Sequence, residues 1–261
     1  MMMDNSTPTR EETAIEQLRS SISDIITEND TFNDDYYLLA WLKARNMKPS
    51  KTEGMIRNSL AWRKKISLNS DMTEGMMEEL RKDFPIITDT TSSSDGLPIG
   101  FAHVGKVDNQ KIYSKYGWAT IAHYVMKVFL QFEEAMIDHN HKKNLHTQKI
   151  TQDCSPGIIV IFDIDGFPLT PSPFVDSLRI VSTLLPAITS YFPFMIEHVF
   201  MINVTKIFAT ILKFIKPMIP SRGNTFNVYT SGEDGWKKNL KELINSEELP
   251  GFLQDLQLLK E

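Results

Sequence analysis

Two carboxylates, Asp163 and Asp165, close the most apolar short run in the chain, GIIVIFDIDGFP over residues 157–168. Acids two residues apart at a strand end can divide acid–base work or help hold a cation. As a calcium loop the motif is incomplete, because nothing like the twelve-residue ligand pattern follows it. Three histidines, His139, His141 and His146, fall in DHNHKKNLH. Metal ligands must converge, and His139 and His141 point apart on a helix, so a solvated helix end is expected there. His123, inside an apolar helix, reads as a hydrogen-bonded core residue. The single cysteine, Cys154, has no disulfide partner within the chain and reads as an idle or buried thiol. Glycine-rich phosphate loops, the G-x-S-x-G elbow and the dinucleotide fingerprint are all missing from the sequence.

The segment IVIFDIDGF resembles the Asp-x-Asp-Gly-Thr signature of haloacid-dehalogenase phosphatases. That resemblance would make Asp163 the attacking nucleophile and Asp165 the acid/base. Phe167 stands where the small hydroxyl residue belongs, and too little chain follows to supply the other motifs. A phosphatase is therefore the third choice among functions.

The elements that position these residues follow from periodicity. The run Ile158–Phe162 lies between turn formers and reads as a strand buried on both faces. Residues 11–27 carry Ile15, Leu18, Ile22, Ile25 and Ile26 at helical spacing. Asp34 or Asp35 caps the next helix, in DDYYLLAWLKARNM. Ser50 and Glu53 have capping-box spacing and open a helix that ends in Arg63, Lys64 and Lys65. A fourth helix is expected over 73–82. Strands follow at 86–87 and 99–104, then a long helix over 118–138 with Phe129 and Phe132 in its buried stripe. Helices around 176–187, up to 214 and over 235–245 alternate with strands at 198–203 and 226–229. Strand–helix alternation predicts a mostly parallel α/β sheet behind an all-helical region, with the division near residue 80 (1–80 and 81–261).

The bulk composition narrows the function class. A formal charge of −5 over 261 residues gives no electrostatic footprint for nucleic acid. The longest apolar stretch, residues 199–215, is interrupted by Lys206 and Lys213, so no transmembrane span is expected. The start of the chain lacks the order of a signal peptide, and a cytoplasmic location is expected.

The stretch VTKIFATILKFIKPMI places Phe208, Ile211, Leu212 and Ile215 on one helical face, with Ile207 and Phe214 broadening it. It can be a core helix. It can equally be a cover that meets lipid acyl chains when it swings, with its lysines drawn to anionic headgroups.

Taken in order, DDYYLLAWLKARNM, LAWRKK, DGLPIGFAHVGKVD, IFDIDGF, YFPFMIEHVFMINVTKIF, KPMI and ELP resemble the CRAL-TRIO lipid-transfer family over nearly the whole chain. The resemblance implies a helical amino-terminal region and a sheet flooring a lipid cavity under a mobile helix. It implies that Ile158, Val160 and Phe162 face the cavity, with Phe167, Phe192, Phe194 and Ile196 around it. Phe208, Ile211 and Ile215 would lie on the lid, and Phe129 and Phe132 of the long helix complete the lining.

The phosphate partners of the phosphatidylinositol-exchanging branch fall here at Phe194 and Phe226. The hydroxyls that branch uses for phosphatidylcholine fall at Gly100, Ile158 and Val160. The basic grip of the tocopherol-transfer branch falls at Met195 and Glu197. Arg63, Lys213, Lys216 and Arg222 remain as an expected basic rim toward membranes. Burying a phosphate without donors costs several kcal/mol, so a mostly apolar ligand, of the tocopherol, retinoid or sterol kind, is expected ahead of phosphatidylinositol. The expected function is a carrier that exchanges a hydrophobic molecule at membranes, with no cofactor, metal or catalysis. The alternative is a lipid-sensing adaptor that keeps its lipid and recruits a protein.

Overall fold

The computed structural model of the chain describes residues 7–89, 97–144, 149–150, 157–167, 187–188, 190–192, 196–215, 225–243 and 253. The side chains of Ile211, Phe214, Ile215 and Thr225 lie outside that description, as do the expected helix around 176–187 and Cys154, His146, Phe194, Lys216 and Arg222.

The amino-terminal region is helical: α1 (Arg10–Ser21), α2 (Ser23–Glu28), α3 (Asp35–Ala44), α4 (Pro49–Leu68) and α5 (Glu74–Asp83). Helix α1 starts on a full capping box, with Thr9 and Glu12 each bonding the other's backbone N–H. Asp34 caps α3 by accepting from the Tyr37 N–H at 2.9 Å. The capping box expected from Ser50 and Glu53 does not form. Helix α4 begins at Pro49, whose fixed φ and missing donor suit the first helical turn, so Ser50 is already inside.

The sheet contains β1 (Ile86–Asp89), β2 (Ile99–Ala102), β3 (Ile158–Asp163), β4 (Ile196–Val204) and β5 (Thr225–Thr230), in the spatial order β1-β2-β3-β4-β5. β1 is antiparallel to β2, and the other neighbours are parallel. A parallel series that advances strand by strand through right-handed crossovers puts its connecting helices on one face. The β2–β3 crossover holds α6 (Asn109–Lys143), and the β4–β5 crossover holds α7 (Lys206–Ile215). Both pack on the face that carries Ile158, Val160, Val199 and Met201. The opposite face, with Ile99, Phe101, Ile159, Ile161, Phe200 and Ile202, is covered by α8 (Gly235–Leu243) through Trp236 and Leu240, together with Leu253.

Helix α6 is two helical stretches joined at Gly117, whose non-helical backbone, with φ of +71°, suits glycine; the long second stretch begins at the expected position near 118, and a short helix from Asn109 precedes it. Its inner side joins α1, α3, α4 and α5 in one continuous core with Trp41, Tyr37, Ile56 and Leu80. The helical region and the sheet are therefore tied by shared burial.

Arg63 is part of that tie. Its guanidinium makes two bonds to the Glu133 carboxylate, at 2.7 and 2.9 Å, and the two side chains are 11% and 5% exposed. Burial works against the Arg63 charge, but the Glu133 carboxylate outweighs it and holds Arg63 protonated above its ordinary range. Arg63 also donates to the Tyr191 carbonyl at 3.2 Å and lies 4.3 Å over the Phe192 ring. Ser59 donates to the same carbonyl at 2.8 Å, and Trp62 stacks on Tyr191 at 4.7 Å. Arg63 thus fixes the approach to β4 and does not belong to a membrane-facing rim.

Removing one partner of a buried ion pair leaves a lone buried charge, so Arg63→Ala should destabilise the protein by about 3–5 kcal/mol. Urea unfolding of the variant checks this, and a loss under ~1 kcal/mol would place the pair effectively in water.

Candidate functional site

The residues expected to do chemistry are used by the fold. Asp163, the last residue of β3, is 1% exposed. Its Oδ1 accepts from the Asp165 backbone N–H at 3.0 Å and from the Asn203 side-chain amide at 2.7 Å. Its second oxygen lies 3.4 Å from His103 Nε2. His139 is buried, and His141 Nε2 lies 2.5 Å from the Asp34 carboxylate while its ring meets Tyr36 edge-on at 5.1 Å. The end of α6 is therefore packed against α3 rather than merely solvated. Among the described residues, no group of three or more His, Cys, Asp or Glu converges as a metal site.

What distinguishes the molecule is the unequal cover on its sheet. On the α8 side, Ile159, Ile161 and Phe200 have no exposure at all. On the other side, register places Val160 beside Val199 and Phe226, and Phe162 beside Met201 and Val228. Phe162 is only half-buried although it sits on the middle strand, as are Ile196 and Phe226, and Val228 is 38% exposed. The middle of a sheet is normally its driest part. Among the described residues, the side chains packing on this face form two clusters, one under α6 and one under α7, and Phe162 and Ile196 touch both.

The α6 side is filled. Phe132 lies so close over Gly100 that a Cβ there would meet its ring at 2.5 Å. Phe129 packs against Phe132 at 5.8 Å and against Phe192 at 5.3 Å, and Phe192 lies under Arg63. The expected lining residues Phe129, Phe132, Phe192, Ile158 and Val160 all belong to this packed cluster.

The α7 side is built differently. Phe208 is buried against Phe167, ring to edge at 4.8 Å, and Leu212 follows it into the cluster with Val199, Met201 and Val204. Ile211 and Ile215 lie within α7. Ile207 points outward at 62% exposure, and Lys213 is exposed on the same helix. Among the described residues, no helix is long and apolar enough to cross a membrane.

Every described side chain in the middle of this face is apolar. Glu197, at the bulge where β3 and β4 shift register, turns to accept from the Gly157 N–H at 2.8 Å. Met201, Val228 and Phe226 are face residues that sequence reading did not assign to the site. The alternation of MINV and FNVY carried that signal, since strand residues two apart share a face.

The helical region and the mostly parallel sheet, with α6 and α7 on one face, define the fold. The CRAL/TRIO domain profile matches residues 87–254, and the chain belongs to the CRAL-TRIO lipid-binding and transfer family. It is 22% identical over 263 residues to CRAL-TRIO domain-containing protein F28H7.8 of Caenorhabditis elegans, covering 95% of this chain and 59% of that protein. The chain thus spans less than two thirds of that relative. The crystal structure of Sfh5 shares the fold, with a TM-score of 0.52 at 14% identity over 100% of both chains.

Gly100 is the position where the α6 aromatics meet the sheet. Gly100→Val should cost about 1–3 kcal/mol by overpacking against Phe132. Thermal unfolding measures it, and the double variant with Phe132→Leu should recover most of the loss.

Proposed function

We propose that the chain binds a mostly apolar lipid on the half-covered side of its sheet and carries it between membranes, with α7 as the cover that moves. The observation that carries this reading is the contrast between the two faces of one sheet. Phe200 and Ile161 are sealed, while Phe162, Ile196, Phe226 and Val228, one face over, keep accessible apolar surface. Burying that surface against a ligand is favourable by about 25 cal/mol per Å² before ordering costs are subtracted.

The walls favour an apolar molecule with at most one hydroxyl or carbonyl. Phe162, Ile196, Met201, Phe226 and Val228 offer no donor to a phosphate, and an unpaired buried phosphate costs several kcal/mol. Phe167, Phe208, Ile211 and Ile215 are the proposed contacts from the cover. The outward Ile207 is the proposed membrane contact, with Lys213, Lys216 and Arg222 drawn to anionic headgroups. The site acts as a container whose shape selects its occupant, and residues 1–80 brace it through Arg63.

Vesicle-to-vesicle transfer of a fluorescent apolar lipid tests the proposal. Transfer should rise in proportion to protein concentration. No binding would overturn the reading, and binding without transfer would make the protein a holder rather than a carrier. Ile207→Asp should leave the fold intact, since the side chain is 62% exposed, and slow transfer to anionic vesicles about tenfold, equivalent to ~1.4 kcal/mol. An unchanged rate would move the membrane contact off α7.

A further inference from the structure

The two acids of the turn that looks catalytic, Asp163 and Asp165, are not among the proposed ligand contacts, yet Asp163 is buried and has partners at both carboxylate oxygens. We infer that Asp163 is a positioning residue, the fixed half of a hinge that sets how α7 leaves the sheet, and that Asn203 is the moving half. The inference rests on the reading of α7 as a movable cover.

Asn203 stands near the end of β4 with φ of +57°, in the left-handed region that few residues other than glycine tolerate and that asparagine adopts most readily. The β4–β5 register slips between Met201 and Val204, so the strand bends at this residue. The Asn203 amide donates to Asp163 Oδ1 at 2.7 Å. Only Val204 and Thr205 separate it from the first residue of α7. Thr205 caps that helix by accepting from the Phe208 N–H at 3.2 Å. The direction of α7 therefore depends on a bend at which the Asn203 amide adds a side-chain bond to the backbone bonds on either side, Ile164 N–H to the Ile202 carbonyl at 3.0 Å and Ser231 N–H to the Val204 carbonyl at 3.3 Å.

The other side of that bond is rigid. The Asp163 turn is closed by the Asp165 N–H on the same Oδ1 and by the Phe167 N–H on the Ile164 carbonyl at 3.0 Å. Gly166, with φ of +80°, permits the reversal. The turn that follows β2 presses on it so tightly that a Cβ on Gly105 would lie 1.9 Å from the Asp165 carbonyl oxygen. His103 approaches the free Asp163 oxygen from the same strand end. Three strand ends, those of β2, β3 and β4, thus meet at one carboxylate.

The same turn touches α7 a second time. Phe167 packs edge-on against Phe208 in the helix's first turn. Opening about residues 203–205 turns α7 as a unit and parts Phe208 from Phe167.

Hydrogen exchange of the ligand-free protein distinguishes this from a plain stabilising contact. Asn203→Gly keeps the left-handed backbone and removes the amide. Exchange in a peptide covering residues 206–215 should rise about tenfold, while peptides from α6 and α8 keep wild-type protection. A uniform rise across all peptides, or no rise in α7, would overturn the inference. The exchanged pair Asp163→Asn with Asn203→Asp rebuilds an amide–carboxylate bond with its ends reversed and should restore α7 protection. Failure to restore it in a folded protein would also count against the hinge. A fluorescent apolar lipid should leave Asn203→Gly about tenfold faster than wild type, again the cost of one local opening. If wild type binds no such probe, the carrier reading fails on its own, and the exchange experiment still reads the hinge.

Discussion

The whole arrangement depends on the order in which the strands are laid down. Because β2 to β5 advance without reversal, right-handed crossovers deliver α6 and α7 to the same side of the sheet. Among the described residues, α6 and α7 pack at opposite ends of that face, and Phe162, Ile196 and Phe226 stay half-buried along the seam between them. The other face is covered by α8 together with Leu253, and Phe200 stacks there on Tyr229 at 6.0 Å with the rings within 7° of parallel. One face is thus sealed by packing while the other keeps accessible apolar surface at Phe162 and Val228.

Each border of that seam has its own device. On the α6 side, aromatic rings fill the space over Gly100, and the Arg63–Glu133 pair locks Phe192 and the entry to β4 against the helical region. A buried ion pair is poor at adding net stability and good at forbidding alternatives, because a shifted Glu133 would strand a charge in the core. On the α7 side the helix is held near its start by Asp163, Asn203 and Phe167, and it shows Ile207 to the outside. In the proposed mechanism the first border stays and the second turns.

How much of this was legible depended on how local each signal was. The central strand could be read from GIIVIF because an unbroken β-branched run has few other homes, and the family was legible in the order of its short motifs. The start of α4 was misread because Ser50–Glu53 spacing competes with Pro49, which begins a helix on its own. Arg63 looked like part of a basic run because its partner, Glu133, is seventy residues away and no periodicity links them. Asp163 and Asp165 looked reactive because a strand-end Asp-x-Asp-Gly specifies a tight turn and a catalytic pair with the same letters. The Asp163–Asn203 bond was invisible for the same reason: Asn203 is one polar residue at the end of an apolar strand until its φ and its partner are known. Met201, Phe226 and Val228 could have been placed by alternation, had β4 and β5 been registered against β3.

The central claim is that the seam holds an oily molecule and offers no cradle for phosphate. Organic-solvent extraction of the protein as purified, followed by mass spectrometry of the extract, tests it most directly. The account predicts a neutral apolar molecule in near-stoichiometric amount. A phospholipid recovered at that stoichiometry, or an extract with no lipid at all, would contradict it.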